Sequence, residues 1–281
     1  MDLITPLAQV TVLDADDLEP TPGDFDSALD RIQSRGAVRV GCREDALPIS
    51  YRKRDGELVG HDIDLAHTLA RDLGVRLELV PVTRKRMSGL LASGAIDIVM
   101  AGVALTLQRA QQMGFSAPYM DDTLALLVPD HRRNEFTSSD AVRTMTDLTV
   151  AVPDLPGFIE RVGSHFPKAK FVVLASHRAF FEQEDDAIDV MLLSAERGSA
   201  WTLTYPQFSV VVPQPEVIRV PVAFPLRAGD ERLREFVNHW IEVRRRNGTL
   251  DRLYEHWILG RSPEASSPRW SVIRDVLHWV D

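Results

Sequence analysis

The sequence predicts an α/β fold built as two successive units, on three observations. Short apolar runs alternate with amphipathic helical segments from Val38 to Val128, the rhythm that pairs strands in parallel across a helix. Residues 129 to 147 then turn polar and charged, and the rhythm resumes with Thr149 to Val152, Phe171 to Leu174 and Ile188 to Leu193. The 281 residues, 44% of them hydrophobic, suffice for two packed cores.

An acidic leader over residues 1–35 carries Pro20 and Pro22. Val38 to Cys42 reads as a first strand and Val75 to Val80, which alternates outward and inward, as a second. Between them Ile63, Ala66, Leu69, Ala70 and Leu73 share a helical face, Asp62 and Asp64 sit near the positive helix end, and Gly74 supplies the stop. The stretch Met87 to Leu107 has Asp97 as its one charge. Gly94 interrupts it, so it reads as a helix ending near Ser93, a buried strand Ile96 to Met100 and a loop at Gly102 rather than a membrane span. A helix over Thr106 to Met113 and a strand over Leu124 to Val128 follow. Beyond the second unit, Val217 to Pro225 leads back to a helix striped by Leu233, Phe236, Val237, Trp240 and Ile241, closed by Asn247-Gly248. A last helix carries Leu250, Leu253, Tyr254 and Trp257.

Asp and Glu outnumber Lys and Arg by 41 to 32, a net charge of −9. A nucleic-acid partner bound through phosphate neutralisation is therefore disfavoured, and a small ligand is expected. All but Lys53, Lys85, Lys168 and Lys170 of the basic residues are arginines, so a single arginine is a weak signal. Cys42 is the only cysteine, which rules out an intrachain disulfide, a cysteine zinc site and a CxxC pair, and it reads as core. There is no HExxH, P-loop, GxSxG or dinucleotide glycine pattern, so no cofactor is expected. His61, Asp62 and Asp64 are too close along a helix start to converge on one ion, so no metal is expected either. Glu182, Glu184, Asp185 and Asp186 read as a solvated acidic face.

Arg109 is the exception among the arginines. Thr106 is a good N-cap, which places Arg109 in the first helical turn, where a cation opposes the helix dipole. An anionic ligand resolves that conflict, because helix-start N–H groups and a bidentate guanidinium can converge on one carboxylate. Gly102 lets the preceding loop approach closely.

The anchors VGCREDALPISY at 38–51, GHDIDL at 60–65, GAID at 94–97, Ala101-Gly102, Thr106 with Arg109, FSAPY at 115–119, and Asn247-Gly248-Thr249 with Trp257 stand in a telling order and spacing. On these, the segment Val38 to Gly260 resembles the bacterial extracellular solute-binding proteins that include the polar amino-acid receptors of ABC importers. The resemblance implies a two-lobed periplasmic-binding-protein type 2 fold, each lobe a central sheet flanked by helices, with the ligand cleft between lobes that close by hinge motion. Lobe 1 is expected from residues 36–127 and 224–260, lobe 2 from 128–223, with hinges near Val128 and Val222. Gly102, Ala104, Thr106 and Arg109 would then hold the ligand carboxylate.

Departures from the family pattern bear on the rest of the ligand. Members that bind α-amino acids place an acid late in a lobe 2 strand to accept the ammonium, and that position here is Ser194. Glu196 is a substitute or a solvated loop residue. The aromatic walls are changed, with Ala46 at one and Arg84 at the other, and Arg43 stands where an acid is common. If Arg43 and Arg84 join Arg109, a dicarboxylate or other organic acid is favoured; alternatively Glu44 and Asp45 neutralise Arg43, and Arg84-Lys85-Arg86 is an exposed basic turn. In lobe 2 the expected hydroxyl-bearing turn reads Pro153-Asp154-Leu155-Pro156-Gly157-Phe158, leaving the backbone of Gly157 and Phe158 as contacts.

Residues 261–281 are an additional apolar-rich tail, expected as an amphipathic helix that packs on its own lobe or, as the second reading, meets a partner or a membrane surface. Met1-Asp2 begins no secretory signal, and with the tail this resembles solute-binding domains appended to sodium:dicarboxylate symporter-type carriers. The expectation is an extracytoplasmic, monomeric, non-enzymatic domain that serves an ABC permease or a fused symporter. The competitors are a cyclohexadienyl or arogenate dehydratase on the same fold, for which Glu196 is the nameable acid, and a receptor's sensing domain.

Overall fold

In a computed structural model of the chain, residues 10–153, 159, 162–174, 177–181 and 187–260 are described. They form two compact units, one running up to Met120 and resuming at Pro221, the other spanning Asp121–Val220.

The first unit is organised on a six-stranded sheet. Val10–Val12, Arg76–Pro81, Ala37–Cys42 and Ile98–Val99 run parallel in that order, and Pro225–Leu226 is antiparallel to both Ile98–Val99 and Gly114–Phe115. Strand alternation sends side chains to two faces. Val38, Val40, Leu77 and Leu79 join a core with the helices Ala28–Arg35, His61–Leu73, Glu231–Arg246 and Thr249–Trp257, while Val80, Ile96 and Val99 pack with Met87 and Leu91 of the helix Met87–Ser93. Both faces are covered, as parallel strands require. The helix His61–Leu73 ends at Gly74 in the left-handed conformation, as expected from sequence. Cys42 is fully buried in the core, and burial pushes its thiol up to about 12, which leaves it unreactive. Among the described residues no helix is long and apolar enough to cross a membrane, and the Met87–Leu107 stretch is a helix, a strand and a loop.

Residues 10–35 belong to the first unit rather than to a leader. Val10–Val12 adds an edge strand to the sheet and Ala28–Arg35 is a core helix. That helix is tied down by charge: Asp97 is fully buried and accepts from Arg31 Nε at 3.0 Å, from Arg35, and from the backbone N–H of Arg39 at 2.8 Å. A buried carboxylate needs such partners, and these three join the helix, the strand Ala37–Cys42 and the loop before Ile98. Asp230 does similar service, capping its own helix at Leu233 and receiving Ser27 Oγ and the Ala28 N–H.

The second unit is a separate sheet in which Lys170–Leu174, Thr149–Pro153 and Val190–Ser194 run parallel, followed by the antiparallel strands Met120–Pro129 and Phe208–Val211. Leu126, Val128, Val150 and Leu192 face a core with Phe136, and Leu127, Ala151, Met191 and Leu193 face one with Phe180. This pairing moves the expected boundaries. Leu124 to Leu127, expected in lobe 1 from the family resemblance, lie in the second sheet, with Leu124 in register with Ser194 and Leu127 with Met191. On the return, Leu105 N–H bonds Pro221 O, Ala104 bridges Val222, and Ala223 N–H bonds Val103 O, so the first unit regains the chain at Pro221 rather than at residue 224. The units meet the chain at 120/121 and 220/221, not at 127/128 and 223/224.

Candidate functional site

In the first unit the sequence-predicted residues Gly102, Ala104, Thr106 and Arg109 come together on one loop and the turn after it. Gly102 adopts φ +61°, the left-handed conformation that suits glycine. Thr106 is extended at φ −135° and its hydroxyl accepts the Arg109 N–H at 3.3 Å, as a capping threonine should. The helix it caps is only Leu107–Ala110, not the helix to Met113 expected from sequence. No residue of that turn is buried, and Leu107 is 86% exposed, so no packing extends it. A single turn has little dipole, and the dipole conflict does not account for Arg109. What orients the half-buried Arg109 is a backbone acceptor: its Nη1 donates to Ala104 O at 2.8 Å, folding the guanidinium back over its own loop.

A buried carboxylate at the start of the helix His61–Leu73 supports this loop. Asp62, whose place in the sequence predicts a dipole partner of its helix, is fully buried and receives the Gly102 N–H at 2.8 Å. It also receives the Tyr119 hydroxyl, 2.8 Å from each carboxylate oxygen, and lies 2.9 Å from His61 Nδ1. The helix start has Gly60 at the N-cap and no side-chain cap. The available signal was helical spacing: Asp62 falls three and four residues before Leu65 and Ala66 on the apolar stripe. Asp64 likewise turns to a tertiary partner, accepting from Trp257 Nε1 at 2.8 Å.

The other predicted residues of this unit lie elsewhere on it. Ala46 is buried in the short strand Asp45–Ala46 of a three-stranded sheet with Ser50–Arg52 and Leu58–Val59. Arg43 folds onto Asp45, with Nε 2.8 Å from Oδ1, and Arg52 pairs with Glu44. The Arg43 charge therefore has its own carboxylate. Arg84 is half-buried and Lys85 exposed, while Arg86 pairs with Asp16 at 2.7 Å and donates to Ala15 O at 3.1 Å.

In the second unit Ser194 ends the strand Val190–Ser194 and caps the helix Ala195–Thr204, accepting the Arg197 N–H at 3.4 Å. Its oxygen is committed to the helix start. Glu196 is not in a solvated loop: it occupies the first turn of that helix, is buried, and accepts the Thr123 N–H at 3.1 Å. Arg197 beside it lies 3.6 Å from Asp122. Gly157 and Phe158, the acidic run at 182–186 and the tail 261–281 lie outside the described residues. Among the described residues no cluster of His, Cys, Asp and Glu side chains is arranged to hold a metal ion.

Comparison with known proteins places this geometry in context. The profile of the bacterial extracellular solute-binding proteins, family 3, matches residues 38–260. The chain is 28% identical over 242 residues to a cyclohexadienyl dehydratase of Pseudomonas aeruginosa, covering 85% of this chain and 89% of that protein. It is 25% identical over 232 residues to a probable histidine-binding protein of Neisseria gonorrhoeae, covering 81% of this chain and 85% of that one. Among solved structures, the ancestral amino acid-binding protein AncCDT-1, a precursor of cyclohexadienyl dehydratase, superposes with a TM-score of 0.72 at 33% identity, over 83% of this chain and all of that one. An ancestral arginine-binding protein bound to glutamine gives a TM-score of 0.67 at 28% identity, over 79% of this chain and 98% of that one.

Proposed function

Because the chain belongs to the bacterial extracellular solute-binding proteins, family 3, we propose that it captures a small carboxylate, an amino acid foremost, outside the cytoplasm and presents it to the membrane component of an ABC importer. The observation that carries this reading is the Arg109 guanidinium, held by Ala104 O above a turn capped by Thr106. A planar fork fixed in this way is preorganised to receive a carboxylate in bidentate fashion, with little side-chain entropy left to lose.

The choice between an amino acid and a dicarboxylate turns on the remaining charges. A second anionic group needs cations beyond Arg109, and Arg43 already has Asp45. That removes one of the two supports for a dianion. The amino acid-binding names of similar proteins favour the amino acid. Ser194, where an acid accepting an ammonium group is expected, points to a weak or altered hold on the ligand's amino end.

A second reading has one specific observation behind it, the similarity to a cyclohexadienyl dehydratase. Such chemistry needs an acid positioned to give up a proton. Glu196 is buried and its carboxylate receives the Thr123 N–H, the arrangement of a structural group. The non-enzymatic reading is therefore the one proposed, and turnover of prephenate or arogenate by the purified chain overturns it.

A thermal-shift panel of amino acids, dicarboxylates and aromatic acids tests the ligand class, since a ligand at 100 times its Kd stabilises by about 2.7 kcal/mol. Amino acids are expected to raise the Tm of the wild-type chain and to leave Arg109→Ala unmoved. An unchanged response in Arg109→Ala refutes the clamp, and a response confined to dicarboxylates refutes the amino-acid choice.

A further inference from the structure

Asp62 is an expensive residue for its place. It sits on the apolar stripe of the helix His61–Leu73, fully buried, where an apolar side chain would cost far less than a carboxylate. It does not cap its helix. Its partners come from two further segments as well as its own neighbour: the Gly102 N–H at the head of the Arg109 loop, the Tyr119 hydroxyl just before the chain leaves the first unit, and His61 Nδ1. The Tyr119 ring is stacked near-parallel to His61, at 5.9 Å and 15°, and to Phe224, at 4.1 Å and 10°.

From Gly102 a run of bonds leads to Arg109. Val103 O accepts the Ala223 N–H, Leu105 N–H reaches Pro221 O, Thr106 caps Arg109, and Arg109 returns to Ala104 O. Asp62 holds the first link of that run, and it holds it at the one residue with a left-handed backbone. We propose that Asp62 is the positioning residue of this loop: its buried carboxylate, aligned by Tyr119 and His61, sets the Gly102 backbone and through it the Ala104 carbonyl that aims Arg109. The ligand part of this inference rests on the carboxylate reading of Arg109; the loop part does not.

The two parts separate in one set of measurements on the full chain. Amide hydrogen exchange without ligand reads the loop, with the Leu79 amide in the central sheet as the reference for global opening. Asp62→Ala is expected to speed exchange at Gly102 and Leu105 by about tenfold beyond any change at Leu79, the loss of one charge-assisted hydrogen bond. Asp62→Asn keeps an oxygen for the Gly102 N–H and is expected to recover most of the protection. Tyr119→Phe, the mildest variant, removes only a hydroxyl and is expected to speed Gly102 by about threefold. If Tyr119→Phe leaves Gly102 tracking Leu79, the inference is overturned, whether or not Asp62→Ala folds. With L-arginine as probe in calorimetry, Asp62→Ala is expected to weaken binding by about tenfold and Asp62→Asn by less than about threefold. Faster exchange with unaltered L-arginine affinity overturns the link to the site. Faster exchange in a chain that binds no carboxylate in any form supports the loop role and refutes the function proposed for Arg109.

Discussion

The Arg109 loop of the first unit and the Ser194 helix start of the second unit are both capped by a hydroxyl residue, Thr106 and Ser194, and both stand over a buried carboxylate, Asp62 and Glu196. They use it in opposite ways. Asp62 accepts one backbone N–H of the loop, that of Gly102, together with the Tyr119 hydroxyl, and Arg109 further along the loop donates to Ala104 O. Glu196 spends its oxygens on Thr123, at the point where the chain enters the second unit, and its neighbour Arg197 lies against Asp122 there. The first joins the Arg109 loop to the helix His61–Leu73; the second ties the helix Ala195–Thr204 to the strand Met120–Pro129.

Four substitutions break or sharpen this contrast, from the largest effect down. Arg109→Ala is expected to weaken the amino acid that gives the largest thermal shift by about a hundredfold, the loss of a bidentate charged contact, in calorimetric titration. Glu196→Ala is expected to cost about 1–2 kcal/mol of stability in urea unfolding, because the Thr123 N–H is left unpaired, without lowering ligand affinity. A loss of affinity larger than the loss of stability would show Glu196 to be part of the site. Ser194→Asp restores an acid while keeping a good N-cap, so stability should hold while affinity for amino acids rises by about tenfold over that for the matching carboxylates lacking the amino group. Equal affinities for both ligands in Ser194→Asp would remove that position from the ligand's amino end. Arg43→Ala is expected to change affinity by less than about threefold, because its partner Asp45 is exposed and their ion pair is screened; a larger drop revives the dianion reading.

Several elements were legible because short-range chemistry announces them. The helix His61–Leu73 has its stripe and its Gly74 stop, the parallel strands have their apolar runs, and the Thr106 cap precedes its turn as expected. The helix Ala28–Arg35 was not legible. Its buried face is Ala28, Ile32 and the charged Arg31, and the acid that makes Arg31 acceptable there is Asp97, 66 residues away. The extent of the turn after Thr106 was overread because its polar sequence permits helix while nothing packs on it to sustain more than four residues.

Local pattern by itself thus determined the α/β class and, through the order and spacing of its anchors, the family. Tertiary structure decided where the chain passes between units, since Leu124 to Val128 satisfies either sheet as an apolar run and only its register with Val190–Ser194 assigns it. It also decided the charges. Arg43, Asp62, Asp97 and Glu196 each carry a full charge in the sequence, but what each is worth depends on the donor or acceptor that folding brings to it, and Coulomb and desolvation terms are functions of distance and burial that no spacing along the chain contains.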